Sequence, residues 1–131
     1  MQANQRHNIK GNSPWESPVG YSRAVRVGNV VAVSGTTATL ADGSIAHKND
    51  PYGQTVQALK NIEAALLSAE AKLSDVIRTR IYVTDITIWQ EVGRAHGEFF
   101  AAIRPAATMV EVKALIDADM LVEIEADAII C

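Results

Sequence analysis

The apolar positions of this chain recur at two different spacings. Along "IRTRIYVT" the period is two: Ile77, Thr79, Ile81 and Val83 fall on one side, and Arg78, Arg80, Tyr82 and Thr84 on the other. "LVEIEADAII" repeats the pattern, with Val122, Ile124, Ala126 and Ala128 opposite Glu123, Glu125 and Asp127, and "TMVEVKAL" alternates too. These three segments predict half-buried strands. "GYSRAVRVGNVVAVSGTTAT" predicts two more around Gly28-Asn29, a pair that tolerates the positive φ of a tight hairpin. "LADGSIA" adds a second turn signal, Asp42-Gly43, with a further short strand expected after it.

Elsewhere the spacing lengthens to that of a helix. Asp50-Pro51 supplies a cap and a proline suited to the first helical position, and Val56, Leu59, Ile62, Leu66 and Leu73 predict a helix over 51–72. Ile88, Val92, Ala95, Phe99 and Ile103 predict a second over 88–102, which Pro105 closes. The order is ββ(β)αβαββ. Strands with one apolar face and two amphipathic helices imply a two-layer α+β fold with both helices on one side of the sheet. A chain of 131 residues makes this one domain over 1–131, with the polar residues 1–16 read as an N-terminal extension.

Composition narrows the function classes. With 48% hydrophobic and 21% charged residues the chain has no signature of disorder. A formal charge of −3 gives no overall positive field for a phosphate backbone, so no nucleic-acid partner is expected. Cys131 is the single cysteine, which excludes an internal disulfide and a thiolate metal cage. No apolar run suits a signal or a membrane span, and the expectation is a soluble, cytoplasmic protein with no membrane partner. No serine-histidine-aspartate signature or glycine-rich phosphate loop appears, and His96 lacks a second ligand at metal spacing on its helix; neither metal nor cofactor is expected.

The predicted open face of the sheet carries Glu123, Glu125 and Asp127 beside Arg78, Arg80 and Tyr82. Two readings stand: a solvated face whose charges pair across strands, or a face that packs against copies of the chain with ligand clefts between them.

"PVGYSRAVRVGNVVAVSG", "DPYGQTVQALKNIEAAL", "VIRTRIYVTDI" and "RPAATMVEV…LVEIEADAI" together resemble the RidA/YjgF family of reactive intermediate deaminases, over about residues 17 to 130. The resemblance implies a chorismate-mutase-like fold with a mixed sheet, a homotrimer, and small-molecule clefts between neighbouring chains. It also implies cofactor-free hydrolysis of enamines and imines to keto acids and ammonia. Carried over by position, Tyr21, Ser34, Gly35 and Glu123 fall on the family's ligand-binding tyrosine, serine-glycine pair and catalytic glutamate. Pro105 and Ala106 match the start of the substrate-gripping Pro-Ala-Arg segment, yet Ala107 stands where the arginine belongs and Gly93 where a helix asparagine belongs.

Thr108 and Met109, following Ala107, are counted with the ligand-binding positions. Arg104 and Arg94 are the candidate cationic substitutes. On an extended chain of about 3.3 Å per residue, Arg104 lies roughly 10 Å from Ala107 and on the opposite face, unless Pro105 turns the chain. The expectation is therefore a RidA-like homotrimer that binds a small metabolite without ordinary arginine-dependent imino-acid deamination. The alternative is an enamine or imine deaminase of altered specificity using Glu123 and an ordered water. A third class, ribonuclease or translation inhibitor, is opposed by the acidic pI of about 5.5.

Overall fold

The computed structural model describes residues 5–131. Its six strands are β1 (Arg6–Ile9), β2 (Ala24–Val27), β3 (Val30–Thr36), β4 (Val76–Val83), β5 (Ala106–Glu111) and β6 (Val122–Ile129). Three α-helices intervene: α1 (Glu16–Val19), α2 (Pro51–Ser68) and α3 (Trp89–Phe100). The strands form one sheet in the order β1-β2-β3-β6-β4-β5. Every pairing is antiparallel except β4 with β5, which run parallel because α3 carries the chain back between them. The fold is α+β with a mixed sheet and two main helices, as the periodicities imply.

The helices cover one face. Ala58, Leu59, Ile62 and Leu66 of α2 and Val92 and Phe100 of α3 join Val31, Val33, Ile81, Val83, Val122, Ile124, Ala126 and Ala128 of the sheet in one core. Alternation along β6 is regular: Val122, Ile124, Ala126 and Ala128 are buried, its three acids stand half-exposed on the opposite face, and Ile129 is exposed at the end. At α2 the Asp50 side chain accepts a hydrogen bond from the Gly53 amide at 3.0 Å, and Pro51 takes the first helical position, where its missing N–H costs nothing.

Several expectations are corrected. The polar extension over 1–16 contains a paired strand, β1, whose Arg6–Ile9 register with Ala24–Val27; residues 1–4 lie outside the described part. The strand expected after Asp42-Gly43 is reduced to a single bridge, Thr39 to Ile45. Helix α2 ends at Ser68 rather than 72, since Glu70 takes a φ of +61°, and Leu73 belongs to a short 3₁₀ turn. Ile77 is 49% exposed rather than buried, because the register between β4 and β6 shifts between Val76 and Arg78 and a bulge turns its side chain outward.

Gln54, on α2, is fully buried. Its Nε2 donates to the Asp119 carbonyl at 2.8 Å, and its Oε1 accepts from the Leu121 amide at 2.9 Å. The helix thereby fixes the turn that launches β6 and with it the position of Glu123.

Candidate functional site

Glu123 projects from the second position of β6 onto the open face of the sheet, where it registers with Tyr82. On the other side of β6, β3 bulges: Val33 pairs with Ala126 and Thr36 with Ile124, so Ser34 and Gly35 together span the single residue Glu125. The bulge brings Gly35 against Glu123. A Cβ at Gly35 would lie 2.1 Å from Glu123 Oε2 and 2.9 Å from its Cδ, so only glycine leaves room for the carboxylate there.

Three neighbours complete this corner. Ser34 Oγ donates to the Ser22 carbonyl at 2.6 Å, which fixes the bulge. Arg23, at the entry to β2, donates from Nη2 to the Gly35 carbonyl at 2.6 Å, and its guanidinium carbon lies 5.9 Å from the centre of the Tyr21 ring. The Tyr21 hydroxyl donates to Ser13 Oγ at 2.9 Å. Tyr21, Ser34, Gly35 and Glu123 are thus brought to one corner of the sheet. A cavity of about 410 Å³ lies alongside, lined by Asn8, Lys10, Ser13 and Ser22 among others, and does not include Glu123.

Burial pushes the Glu123 carboxyl above the ordinary carboxylate range, against the pull of the Arg23 guanidinium and with a further push from the charge of Glu125. Two further pairs lie on this face. Arg80 Nη1 donates to Asp127 Oδ2 at 3.0 Å, and the Tyr82 hydroxyl donates to Glu125, which with burial raises the phenol's pKa.

The residues on β5 fall on both faces. Thr108 registers with Arg80 and helps line a shallow depression of about 150 Å³ with Tyr82 and Val110, on the open face. Ala107 and Met109 register with Thr79 and Ile81, both buried beneath the helices, so they belong to the helix side of this edge strand. Ala107 and Glu123 therefore stand on opposite faces of one sheet, separated by β4. His96 of α3 shares a 2.9 Å hydrogen bond with Thr79 Oγ1, which lays the helix over the stretch of β4 that registers with Ala107. Burial lowers the pKa of His96 and favours its neutral ring. At Gly93 and at Gly97, one turn further, an added Cβ would meet nothing within 4 Å, so this flank of α3 is open.

Of the two candidate substitutes, Arg94 is engaged away from β5. The Arg94 guanidinium lies 3.9 Å over the Tyr52 ring and 4.0 Å from Glu98. Arg104 is not extended: with φ at +59° it closes the turn after α3, its amide donating to the Phe100 carbonyl at 2.7 Å. Arg104 therefore lies outside the extended strand, since β5 begins only at Ala106. Its side chain is exposed and makes no hydrogen bond or ion pair with the described residues.

Arg23 is the residue that sequence reasoning missed. Its signal was present: in "YSRAVRV" it alternates with Ala24, so it shares the open face of the sheet rather than the core.

Gly35→Ala tests the seat of the carboxylate. The added methyl is expected to displace Glu123 while the fold survives at a cost of about 1–3 kcal/mol, the usual range for overpacking. A crystal structure of the variant with the Glu123 carboxylate unmoved would count against this geometry.

Among the described residues no three His, Cys, Asp or Glu side chains converge as a metal-ligand set, and no helix is long and apolar enough to cross a membrane. The family model described as Endoribonuclease L-PSP matches residues 12–130. An uncharacterised protein of Streptomyces coelicolor is 38% identical over 92% of this chain and 89% of its own length. A RutC family protein of Pyrococcus abyssi is 35% identical over 85% of this chain and 87% of its own. The crystal structure of a Mycobacterium tuberculosis member of the YjgF/YER057c/UK114 family is 52% identical, superposes with a TM-score of 0.87, and is matched over 96% of this chain and 100% of that one. With sequence and fold in agreement over nearly the whole length, the chain belongs to the RidA/YjgF family.

Proposed function

We propose that three copies of the chain associate through the open face of the sheet and bind a small metabolite in clefts shared by neighbours, without arginine-dependent imino-acid deamination. The observation that carries this reading is the Glu123 carboxylate, lodged against Gly35 on a face that also exposes apolar side chains. Val27, Val30 and Ile129 are 45%, 53% and 41% exposed there, and Val30 registers with both Val27 and Ile129. An apolar strip beside pre-paired charges is what a self-association surface needs. A cleft that unites Glu123 with Ala107 has to draw on two chains, because one chain holds them on opposite faces. At 107 such a cleft offers a methyl group, with no carboxylate-gripping cation from Arg94. No nucleic-acid partner is proposed, since the net charge is −3 and Arg80 is held by Asp127.

A second reading, an imine hydrolase of altered specificity, is favoured by the raised proton affinity of Glu123, which suits it to general-base work closer to neutral pH. There Glu123 takes a proton from water as the oxygen bonds to the imine carbon and the second carbon–nitrogen bond opens. That proton passes to the nitrogen to give a carbinolamine; the proton of the new hydroxyl then follows to the nitrogen as the remaining carbon–nitrogen bond breaks, releasing ammonia and a carbonyl.

Two measurements test these readings. Sedimentation is expected to give the mass of a trimer, and a monomer at micromolar concentration removes the shared cleft. With 2-aminoacrylate generated in situ, keto acid is expected to form no faster than without protein. Acceleration that disappears in Glu123→Ala installs the hydrolase instead.

A further inference from the structure

We propose that Arg23 is the anion anchor of this chain: a small carboxylate ligand docks its acidic end on the Arg23 guanidinium, beside Tyr21, Gly35 and Glu123, instead of at position 107. The proposal rests on the shared-cleft reading and adds the class of ligand to it.

The argument begins with what each half-buried arginine does with its donors. A guanidinium carries five N–H groups, and taking its charge out of water is costly unless those groups are met. Arg26 spends its donors on structure, with Nε to the Gly28 carbonyl at 2.9 Å and Nη1 to the Ala69 carbonyl at 2.8 Å. Arg80 is spent on Asp127. Among the described residues Arg23 makes one hydrogen bond, from Nη2 to the Gly35 carbonyl. Its Nε is buried without a partner, and among the described residues no carboxylate forms an ion pair with it. A retained cation with unspent donors beside a candidate site is the arrangement that a bidentate carboxylate would complete.

The guanidinium is also held in place. The chain at Gly11 lies over its stem, where an added Cβ would come within 3.1 Å of Arg23 Cβ and 3.2 Å of its Cδ. The Gly35 carbonyl fixes its other end. Gly35 in turn touches Glu123, so one backbone residue positions both the cation and the carboxylate, and a ligand held by Arg23 lies next to Glu123.

The test uses 2-oxobutanoate and its methyl ester, which differ in charge and by one methyl group, titrated into the full chain and read by calorimetry and by the amide signal of Gly35. Wild type is expected to bind the acid at least about tenfold more tightly than the ester, the worth of a charge-assisted pair. Arg23→Gln is expected to lose that preference, and Arg23→Lys to keep part of it. An undiminished preference in Arg23→Gln, equal binding of acid and ester by wild type, or loss of ester binding in both variants overturns the proposal and leaves the cleft standing. If wild type binds neither probe, the shared-cleft reading fails and the proposal fails with it.

Discussion

Ala107→Arg is expected to give a chain that converts 2-aminoacrylate to keto acid roughly 10- to 150-fold faster than its parent, the rate equivalent of the 1.5–3 kcal/mol or so that a charge-assisted guanidinium–carboxylate contact contributes. The position suits the substitution. Ala107 is exposed at the edge of the sheet, and the adjoining flank of α3 is unobstructed at Gly93 and Gly97. An arginine there has space to extend without displacing the core, so a stability change within about 0.5 kcal/mol is expected. The new cation would also compete with Arg23 for the acidic end of a ligand, and a drop in the acid preference at Gly35 is the accompanying signature. A variant that assembles like the parent but forms keto acid no faster would show that more than the charge at 107 is missing.

The second large effect is structural. Gln54→Leu is expected to destabilise the chain by about 2–6 kcal/mol, because it strands the Asp119 carbonyl and the Leu121 amide, each costing about 1–3 kcal/mol when left without a partner. The loss exceeds that of a surface change because Gln54 is fully buried and bonds backbone 65 and 67 residues away. Chemical denaturation of the two chains measures it directly. A change below 1 kcal/mol would mean that the turn before β6 finds its partners without α2.

These two residues mark what the sequence discloses and what it hides. The alternation in "LVEIEADAII" places Glu123 on the open face without coordinates, and Asp50-Pro51 announces the start of α2. Both are local signals, set by the period of the backbone and the needs of a helix end. The bulge at Ser34-Gly35 is different: a serine-glycine pair is compatible with it, but the contact with Glu123 depends on pairing between β3 and β6, nearly ninety residues apart in the chain. Strand β1 escaped notice because its burial alternates only weakly in a polar segment, and its place is decided by β2. At Arg104 the end of α3 imposes a left-handed turn that the extended pattern of the following strand does not announce. Arg23 was visible as an outward-facing residue, but its unmet donors are a property of the packed neighbourhood and no pattern along the chain reports them.

The placement of Ala107 and Glu123 on opposite sides of one sheet reaches beyond geometry. A folded single chain carries both residues and still cannot bring them to one molecule of ligand. Any activity that draws on both would vary with protein concentration, falling on dilution while every chain keeps its fold.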